Sequence, residues 1–283
     1  MSFSMHPQER SFARYIRLGM SYASNVEPST SVLTLLSHVN TIDDAILIVD
    51  DILDESKVRN GKPCLYLQEG IPKALVTAEL LKASADEALE KIMVNIKTSS
   101  RFKATVHYTM FRLLQDIYKG EKISFEPVDS NKDFSIHIKN YLEMITLFTG
   151  GHIKYGLQIG QLIMNRSPDE NLDKIAEATG VIRQILDDFQ DYFGEHHEPF
   201  GDFLGQAWRL PEILFHKYGG DRLHIRELLE AEQYVEARRI ILSPQVRYEL
   251  YRYCEMAYKK IKAINLDISS LLLIDFEQIL TRK

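Results

Sequence analysis

Six aspartates in two identically spaced clusters are the residues of this sequence best suited to chemistry. The clusters are Asp50, Asp51 and Asp54, and Asp187, Asp188 and Asp191. Residues four apart share a helix face, so the first and last aspartates of each cluster present their carboxylates together. Carboxylates suit Mg²⁺, which binds a few of them and keeps positions for water and phosphate. The pattern predicts a magnesium site formed by two carboxylate faces opposed across a cavity.

Both clusters lie in segments whose other residues are mostly apolar, at 39–59 and 181–193. Like charges at this spacing repel, and aspartate is a weak helix former, so a positive group must offset the cost. A single cluster of this kind is typical of a solvated helix face, but its repetition in two apolar helices favours metal binding. Zinc is not expected, because His196 and His197 lie in a polar stretch without matching ligands.

The rest of the sequence predicts helices. Its 283 residues include only 14 glycines and 9 prolines, few for a β architecture. Apolar residues recur three and four apart in 74–93, 133–164 and 172–193. We therefore expect an all-α protein, with one domain over 1–283 that is a single large bundle of about ten helices around a central cavity. Segments 71–96 and 98–122 are apolar on more than one face, which predicts a homodimer that pairs through them.

Composition excludes several other classes of protein. Hydrophobic residues make up 45% and charged residues 26%, which is ordinary for a globular protein. We expect no transmembrane segment, since apolar runs such as 45–49 are short, and no secretory signal at the start. A net charge of −6 argues against nucleic-acid binding. Two cysteines, Cys64 and Cys254, cannot build a disulfide framework, which favours a cytoplasmic location.

The two clusters and their flanks resemble the motifs of the trans-prenyl diphosphate synthases, a family with the class I isoprenoid synthase fold, and most closely its geranylgeranyl and farnesyl diphosphate synthases. The first cluster, followed by Arg-Asn-Gly-Lys-Pro at 59–63, is similar to the family's DDxxD and RRGxP motifs. The second cluster, preceded by Gln-Ile-Leu at 184–186, is similar to QIxDDxxD. Phe-Thr-Gly-Gly at 148–151 stands where the family has KTGG, and the Leu-Pro at 210–211 also matches.

The resemblance implies that Mg²⁺ bound by both clusters holds the diphosphate of an allylic prenyl substrate, which ionises in an apolar cavity. All six aspartates are then metal ligands. We assign further roles as follows: catalysis to Asp50, Asp54, Asp187 and Thr149; binding of the substrate diphosphate to Arg59, Lys62, Gln184 and Arg14; and a chain-length pocket to Ala45 and Ile46. Neither pocket residue is aromatic, so the resemblance implies room for a farnesyl or longer donor.

The sequence departs from the family at its basic positions. Ser11, Asp43 and Asn60 stand where the family's acceptor site has a lysine, a histidine or glutamine, and an arginine. Asp43 would repel a diphosphate, and Asn60 offers no charge. On the donor side, Phe148 and Ala207 replace lysines. Other cations could substitute, although each alone is more typical of a surface residue: Lys62, Lys119, Lys122, Lys154, Arg183 and Arg209.

Three functions follow from this uneven pattern. Intact metal aspartates beside a damaged acceptor site favour ionisation of an allylic prenyl diphosphate, followed by transfer to an acceptor of unknown identity or by cyclisation. The second function is ordinary synthesis of a polyprenyl diphosphate of the geranylgeranyl type, by condensation with isopentenyl diphosphate. The third is a non-catalytic helical subunit of a heteromeric synthase. The complete aspartate clusters argue against this function, because buried carboxylates are costly in free energy without a bound metal.

Overall fold

The computed structural model describes the backbone of residues 12–126, 133–194, 199–205, 208–264 and 266. Ser11, His196, His197 and Ala207 lie outside these ranges.

Helices dominate these ranges, which confirms the all-α prediction. Fourteen α-helices and one hairpin of two-residue strands are formed by the described residues; α4 and α10 are single turns. The helices are α1 Phe12–Ser24, α2 Thr30–Val39, α3 Thr41–Leu53, α4 Leu65–Glu69, α5 Ile71–Ile96, α6 Ser100–Ser124, α7 Phe134–Ile145, α8 Gly151–Ile163, α9 Glu170–Asp191, α10 Gly201–Leu204, α11 Leu210–Lys217, α12 Arg222–Glu230, α13 Tyr234–Ile241 and α14 Pro244–Lys262. The strands are β1 Val58–Arg59 and β2 Lys62–Pro63, and a π-helical turn, Thr146–Gly150, joins α7 to α8.

The chain divides into two compact units. The first is built from Met1–Asp116 and Gly151–Ala176, and the second from Ile117–Gly150 and Glu177–Lys283. A single domain over the whole chain therefore stays a prediction.

In the first unit, α1 packs along α8, and α2 and α3 pack on α5. The α1–α8 pair is close because a Cβ on Gly160 would stand 2.1 Å from the carbonyl oxygen of Ile16, a contact that only glycine avoids. The core of this pair is aromatic and aliphatic: Phe12, Ile16 and Leu157 have no exposed surface. Burial of these side chains stabilises the pair, and it fixes the amino end of α1.

One helical stretch of the described chain, Thr30–Leu53, is long and apolar enough to cross a membrane by length and composition alone. It consists of α2 and α3 in succession, and both helices pack on α5. The core helix of a globular protein passes the same test, so this stretch is weak evidence against the prediction that no segment spans a membrane.

In the second unit, α11 packs on α7, α13 and α14. Helix α9 carries the second aspartate cluster at its carboxyl end, where Phe189 is buried, as is Tyr192 directly after the helix. The apolar side of α9 thus holds the helix in the core and leaves its polar side to carry Asp187, which is exposed.

Candidate active site

The first aspartate cluster ends helix α3, and an arginine from the following hairpin binds it. Arg59 donates through Nε to Oδ1 of Asp51 at 2.8 Å and through Nη2 to Oδ2 of Asp50 at 3.0 Å. Burial acts to lower the pKa of Arg59, but its bond to Asp51 and the two carboxylate charges raise that pKa above its ordinary value. This confirms that a positive group offsets the repulsion between the aspartates.

The hairpin that carries Arg59 depends on a residue that departs from the family motif. Val58–Arg59 pairs antiparallel with Lys62–Pro63, and the turn residues Asn60 and Gly61 have φ angles of +53° and +74°. Asparagine tolerates the left-handed region, and Asn-Gly is the favoured pair in two-residue hairpin turns. Asn60 therefore supplies turn geometry where the family has an arginine, and Lys62, which is exposed, lies across the ladder from Arg59.

Asp51 also faces a buried thiol. Cys64, only 2% exposed, donates a hydrogen bond to Asp51. Burial, together with the negative charge of Asp51, raises the pKa of Cys64 to about 11. The thiol is therefore neutral at physiological pH and serves as a hydrogen-bond donor, and Asp51, 4% exposed, is enclosed by protein groups.

The second cluster repeats this arrangement with different donors. Asp188 is 1% exposed; Tyr141 Oη donates to its Oδ2 at 2.5 Å and Gln184 Nε2 donates to its Oδ1 at 2.9 Å. Burial, followed by the negative charge of Asp188, raises the pKa of Tyr141 well above its ordinary value, so the phenol keeps its proton. Sequence reasoning missed Tyr141, because one tyrosine in an amphipathic helix carries no pattern of its own.

A glycine contact brings two predicted residues together. A Cβ on Gly180 would lie 2.4 Å from the backbone of Gly150, so only glycine allows α9 to approach the π-helical turn this closely. Thr149, in that turn, then donates its hydroxyl to Gln184 Oε1 at 2.5 Å. Single π-helical turns are frequent at functional sites. Thr149, Gln184, Asp188 and Tyr141 form one hydrogen-bonded chain, and the first two were predicted site residues.

Within each motif, the middle aspartate is thus the most buried. Asp50 and Asp54 are half-buried around Asp51; Asp187 is exposed and Asp191 half-buried around Asp188. The carboxylates that reach the surface are the pairs four residues apart. No group of three or more His, Cys, Asp or Glu side chains that could hold a metal ion occurs among the described residues. Each motif therefore has two carboxylates, four residues apart, that reach the surface around a buried middle aspartate, and in the first motif Asp50 shares Arg59 with Asp51.

The first motif belongs to the first unit and the second motif to the second unit. That the two carboxylate faces oppose each other across a cavity stays a prediction.

Asp43, the most unfavourable departure at the acceptor positions, caps helix α1. Its Oδ2 accepts the backbone N–H of Phe12 at 2.9 Å, while Asn40 Oδ1 accepts that of Ala13 at 3.0 Å. Its Oδ1 lies 3.1 Å from His152 Nε2, close enough for an ion pair but without hydrogen-bond geometry. Asp43 therefore has an internal role that the sequence did not reveal, and His152 is a neighbour that sequence reasoning missed.

The other predicted residues are placed as follows. Arg14 is half-buried in the first turns of α1, and Ala45 and Ile46 are buried in α3, with Ala45 having no exposed surface. Their roles in diphosphate binding and chain length stay predictions. Arg183, expected at the surface, is instead 9% exposed and lies one helical turn before Asp187.

Comparisons with known proteins agree with this fold. The chain is 28% identical over 178 residues to the short chain isoprenyl diphosphate synthase of Methanocaldococcus jannaschii, covering 62% of this chain and 52% of the relative. It is 27% identical over 144 residues to the geranylgeranyl diphosphate synthase of Sulfolobus acidocaldarius, covering 50% of this chain and 42% of the relative. These matches span about half the length of the curated relatives.

Solved structures extend the likeness over nearly the whole chain. The heptaprenyl diphosphate synthase of Staphylococcus aureus superposes with a TM-score of 0.71 at 23% identity, over 96% of this chain and 87% of that one. At that identity the likeness establishes the fold, which is the isoprenoid synthase fold expected from the motifs. The polyprenyl synthetase family model matches residues 14–205, which hold the first aspartate motif, its hairpin and the second aspartate motif. The chain belongs to the polyprenyl synthetase family.

Proposed function

We propose that the protein is a magnesium-dependent prenyltransferase that extends an allylic prenyl diphosphate with isopentenyl diphosphate. The observation that carries the proposal is the common design of the two motifs: a buried middle aspartate held by protein donors, flanked by two carboxylates four residues apart that reach the surface. The matched relatives are named as diphosphate synthases, which supports chain elongation, the second of the functions weighed from the sequence, over cyclisation or an unusual acceptor.

The donor chemistry of both motifs fits Mg²⁺. Asp50 and Asp54 in the first motif, and Asp187 and Asp191 in the second, would hold the ion through one or two carboxylates each. Mg²⁺ is usually bound in this way, with water and substrate phosphates completing its six ligands. When bound, the ion supplies positive charge that stabilises a departing diphosphate. Arg59 already neutralises part of the first motif, which lowers the cost of holding its aspartates close together.

The protein groups around the motifs orient polar atoms. Gln184 is held at both ends of its side-chain amide, by Thr149 at the oxygen and by Asp188 at the nitrogen. Because both bonds fix one amide orientation, Gln184 is a pre-organised polar group beside the second motif. Arg59 and Lys62 are neighbours across a tight turn and would place two cations against a substrate diphosphate.

A second candidate function, transfer to a less anionic acceptor or cyclisation of the donor, is favoured by one observation. The amino end of a helix attracts anions, and at α1 the carboxylate of Asp43 already accepts the N–H of Phe12. An acceptor diphosphate bound at the positions that the family resemblance indicates would meet this fixed negative charge. Isopentenyl diphosphate would then bind weakly.

One experiment tests both functions. Purified protein is given geranyl, farnesyl or geranylgeranyl diphosphate with Mg²⁺, with and without isopentenyl diphosphate, and both diphosphate release and organic products are measured. Elongated prenyl diphosphates formed only with isopentenyl diphosphate support the first function. Diphosphate release in the absence of isopentenyl diphosphate, with cyclic or transferred products, supports the second function. If no diphosphate is released under any condition, the remaining function is that of a non-catalytic subunit.

Asp43→Asn is the matched variant for the acceptor site. Asparagine keeps an oxygen that can accept from Phe12 and removes the charge, so the cap survives better than it would with alanine. If Asp43 limits the acceptor, this variant lowers the KM for isopentenyl diphosphate while the KM for the allylic donor stays constant. An unchanged KM for isopentenyl diphosphate would eliminate repulsion by Asp43 as a factor.

We propose a homodimer as the working assembly and the cytoplasm as its location. Helices α5 and α6 expose large apolar side chains, among them Leu80 at 65% and Phe111 at 64%. Pairing with a second copy would remove such side chains from water. Light scattering at micromolar concentration should give twice the chain mass, and substituting Phe111 with glutamate should shift the mass toward that of one chain.

A further inference from the structure

The segment that follows the second aspartate motif lies directly against the last aspartate of that motif. We call residues 199–205 the strap. The backbone N–H of Phe200 donates to the carbonyl oxygen of Asp191 at 3.2 Å. The ring of Phe200, which has no exposed surface, packs edge-on against Tyr192 at 5.2 Å between centroids. Phe200 has a φ of +67°, a strained conformation for a bulky residue that persists only where its surroundings determine it.

The strap also lies beside the carboxylate of Asp191. A Cβ on Gly201 would lie 3.3 Å from Asp191 Oδ1, so a larger residue would crowd this oxygen. Gly201 therefore forms one wall of the space in which the Asp191 side chain sits. The strap is thus bonded to the backbone of Asp191, and Gly201 lies next to its side chain, so a displacement of the strap would change the surroundings of this carboxylate.

The side chain of Arg222 binds the far end of the strap. Arg222, at the start of α12, donates through Nη2 to the carbonyl oxygen of Phe203 at 2.6 Å and approaches that of Gly205 at 3.4 Å. Its guanidinium also lies over the ring of Phe203 at 4.9 Å and over that of Trp208 at 4.7 Å. Planar stacking combined with two carbonyl contacts is a geometry that lysine cannot reproduce. Arg222 is therefore a clamp whose loss would release the strap.

We propose that Arg222 is a positioning residue for the second aspartate motif: it holds the strap in place and thereby orients the carboxylate of Asp191 toward a divalent cation. The inference rests on the proposed function, because it gives Asp191 a cation to bind. Residues that orient metal-binding carboxylates without touching the ion are a recurring feature of metal sites, and their loss lowers metal affinity about 10- to 100-fold.

The test compares Arg222→Met and Arg222→Lys with Arg226→Met. Arg226 lies one turn further along α12 and is exposed, so its replacement is a matched control for the loss of one arginine from this helix. The chain has one tryptophan, Trp208, so its fluorescence reports the clamp directly. The second measurement follows the unfolding temperature of the protein as Mg²⁺ is added in the presence of inorganic diphosphate. It gives the Mg²⁺ concentration at which half of the thermal stabilisation is reached, the half-saturating concentration.

We expect Arg222→Met to change the emission of Trp208 without metal and to raise the half-saturating Mg²⁺ concentration about tenfold. Arg222→Lys should give an intermediate value, and Arg226→Met should match the unaltered protein. Hydrogen exchange at the amides of the strap should be fastest in Arg222→Met, slower in Arg222→Lys, and unchanged in Arg226→Met. If Arg222→Met does not fold, Arg222→Lys, which keeps the charge and a donor, decides the question.

Two results would overturn the proposal, and they differ in what else they refute. A lower unfolding temperature or altered Trp208 emission, with half-saturating Mg²⁺ equal to that of the control, would make Arg222 a purely structural residue and leave the proposed function intact. An unaltered protein that Mg²⁺ and diphosphate do not stabilise would refute the proposed function, and the positioning role with it.

Discussion

Replacing Tyr141 with phenylalanine should destabilise the protein, although it removes only one oxygen atom. Tyr141 is 3% exposed and donates to Asp188, which is 1% exposed, so no bulk water reaches the carboxylate oxygen that would lose its donor. A hydrogen bond to a charged group contributes about 1.5–3 kcal/mol. Because the ring remains, packing changes little, and the loss is chiefly that of the bond. At about 2–4 °C per kcal/mol for a chain of this size, the Tm should fall by about 3–12 °C.

The control for this substitution is Tyr248→Phe in α14, where the side chain is 62% exposed and water replaces the lost contact. Thermal unfolding followed by far-UV circular dichroism, with a metal chelator present, measures both variants without any contribution from bound ions. Diphosphate release by Tyr141→Phe should also fall, because Asp188 then holds Gln184 less firmly. Equal unfolding temperatures for Tyr141→Phe and the control would refute the view that the middle aspartate is an anchored structural residue.

Three further predictions concern the first motif, the chain-length pocket and pH. Asp50→Asn should remove most diphosphate release in the presence of Mg²⁺ while leaving the helical circular dichroism spectrum unchanged, and activity that survives a chelator would contradict it. Ala45→Phe, at a position with no exposed surface, should cost about 1–3 kcal/mol by overpacking and shift preference toward shorter donors; an unchanged donor profile would place the pocket floor elsewhere. Burial, and then the charge of Arg222, lowers the pKa of His216, so its neutral form is the one stabilised by folding. The free energy of unfolding should therefore be highest above pH 6.5, the ordinary pKa of histidine, and should fall as the pH is lowered below that value. The fluorescence of Trp208, whose ring contacts His216, should change over the same pH range, and a His216→Asn variant should lack that change.

The parts of this structure that follow from local spacing could be predicted from the sequence. The aspartates four residues apart, the glutamine three residues before Asp187 and the apolar periodicity all concern neighbours on one helix, and one helix determines their relation. For the same reason, the helical class and the pairs of carboxylates that share one helix face could be expected. A cation beside the first motif could also be predicted, because its carboxylates lie close together on one helix and repel each other.

The donors that hold each middle aspartate could not be predicted in this way. Tyr141 reaches Asp188 across 47 positions of sequence, through the packing of α7 against its neighbours. The π-helical turn that presents Thr149 depends on the contact of Gly150 with Gly180, which is a tertiary event. Segment 133–164 accordingly has the periodicity of one long helix, while the structure breaks it at Thr146–Gly150. Arg222 belongs to no motif, and its partners are Phe203 in the single-turn helix α10 and Gly205 and Trp208 after it, whose positions no helical period specifies.

The substitutions at the basic positions show why a residue that departs from a family motif is hard to interpret alone. By sequence, Asp43 is an added negative charge and Asn60 is a lost cation. In the structure each has a structural use: Asp43 caps the backbone N–H of Phe12, and Asn60 adopts the left-handed turn that sets Arg59 opposite Lys62. Restoring the family residue at either position would therefore remove a cap or strain a turn as well as add charge. A gain of acceptor binding in such a variant would be offset by lost stability, so the isosteric Asp43→Asn separates charge from structure better than any reversion does.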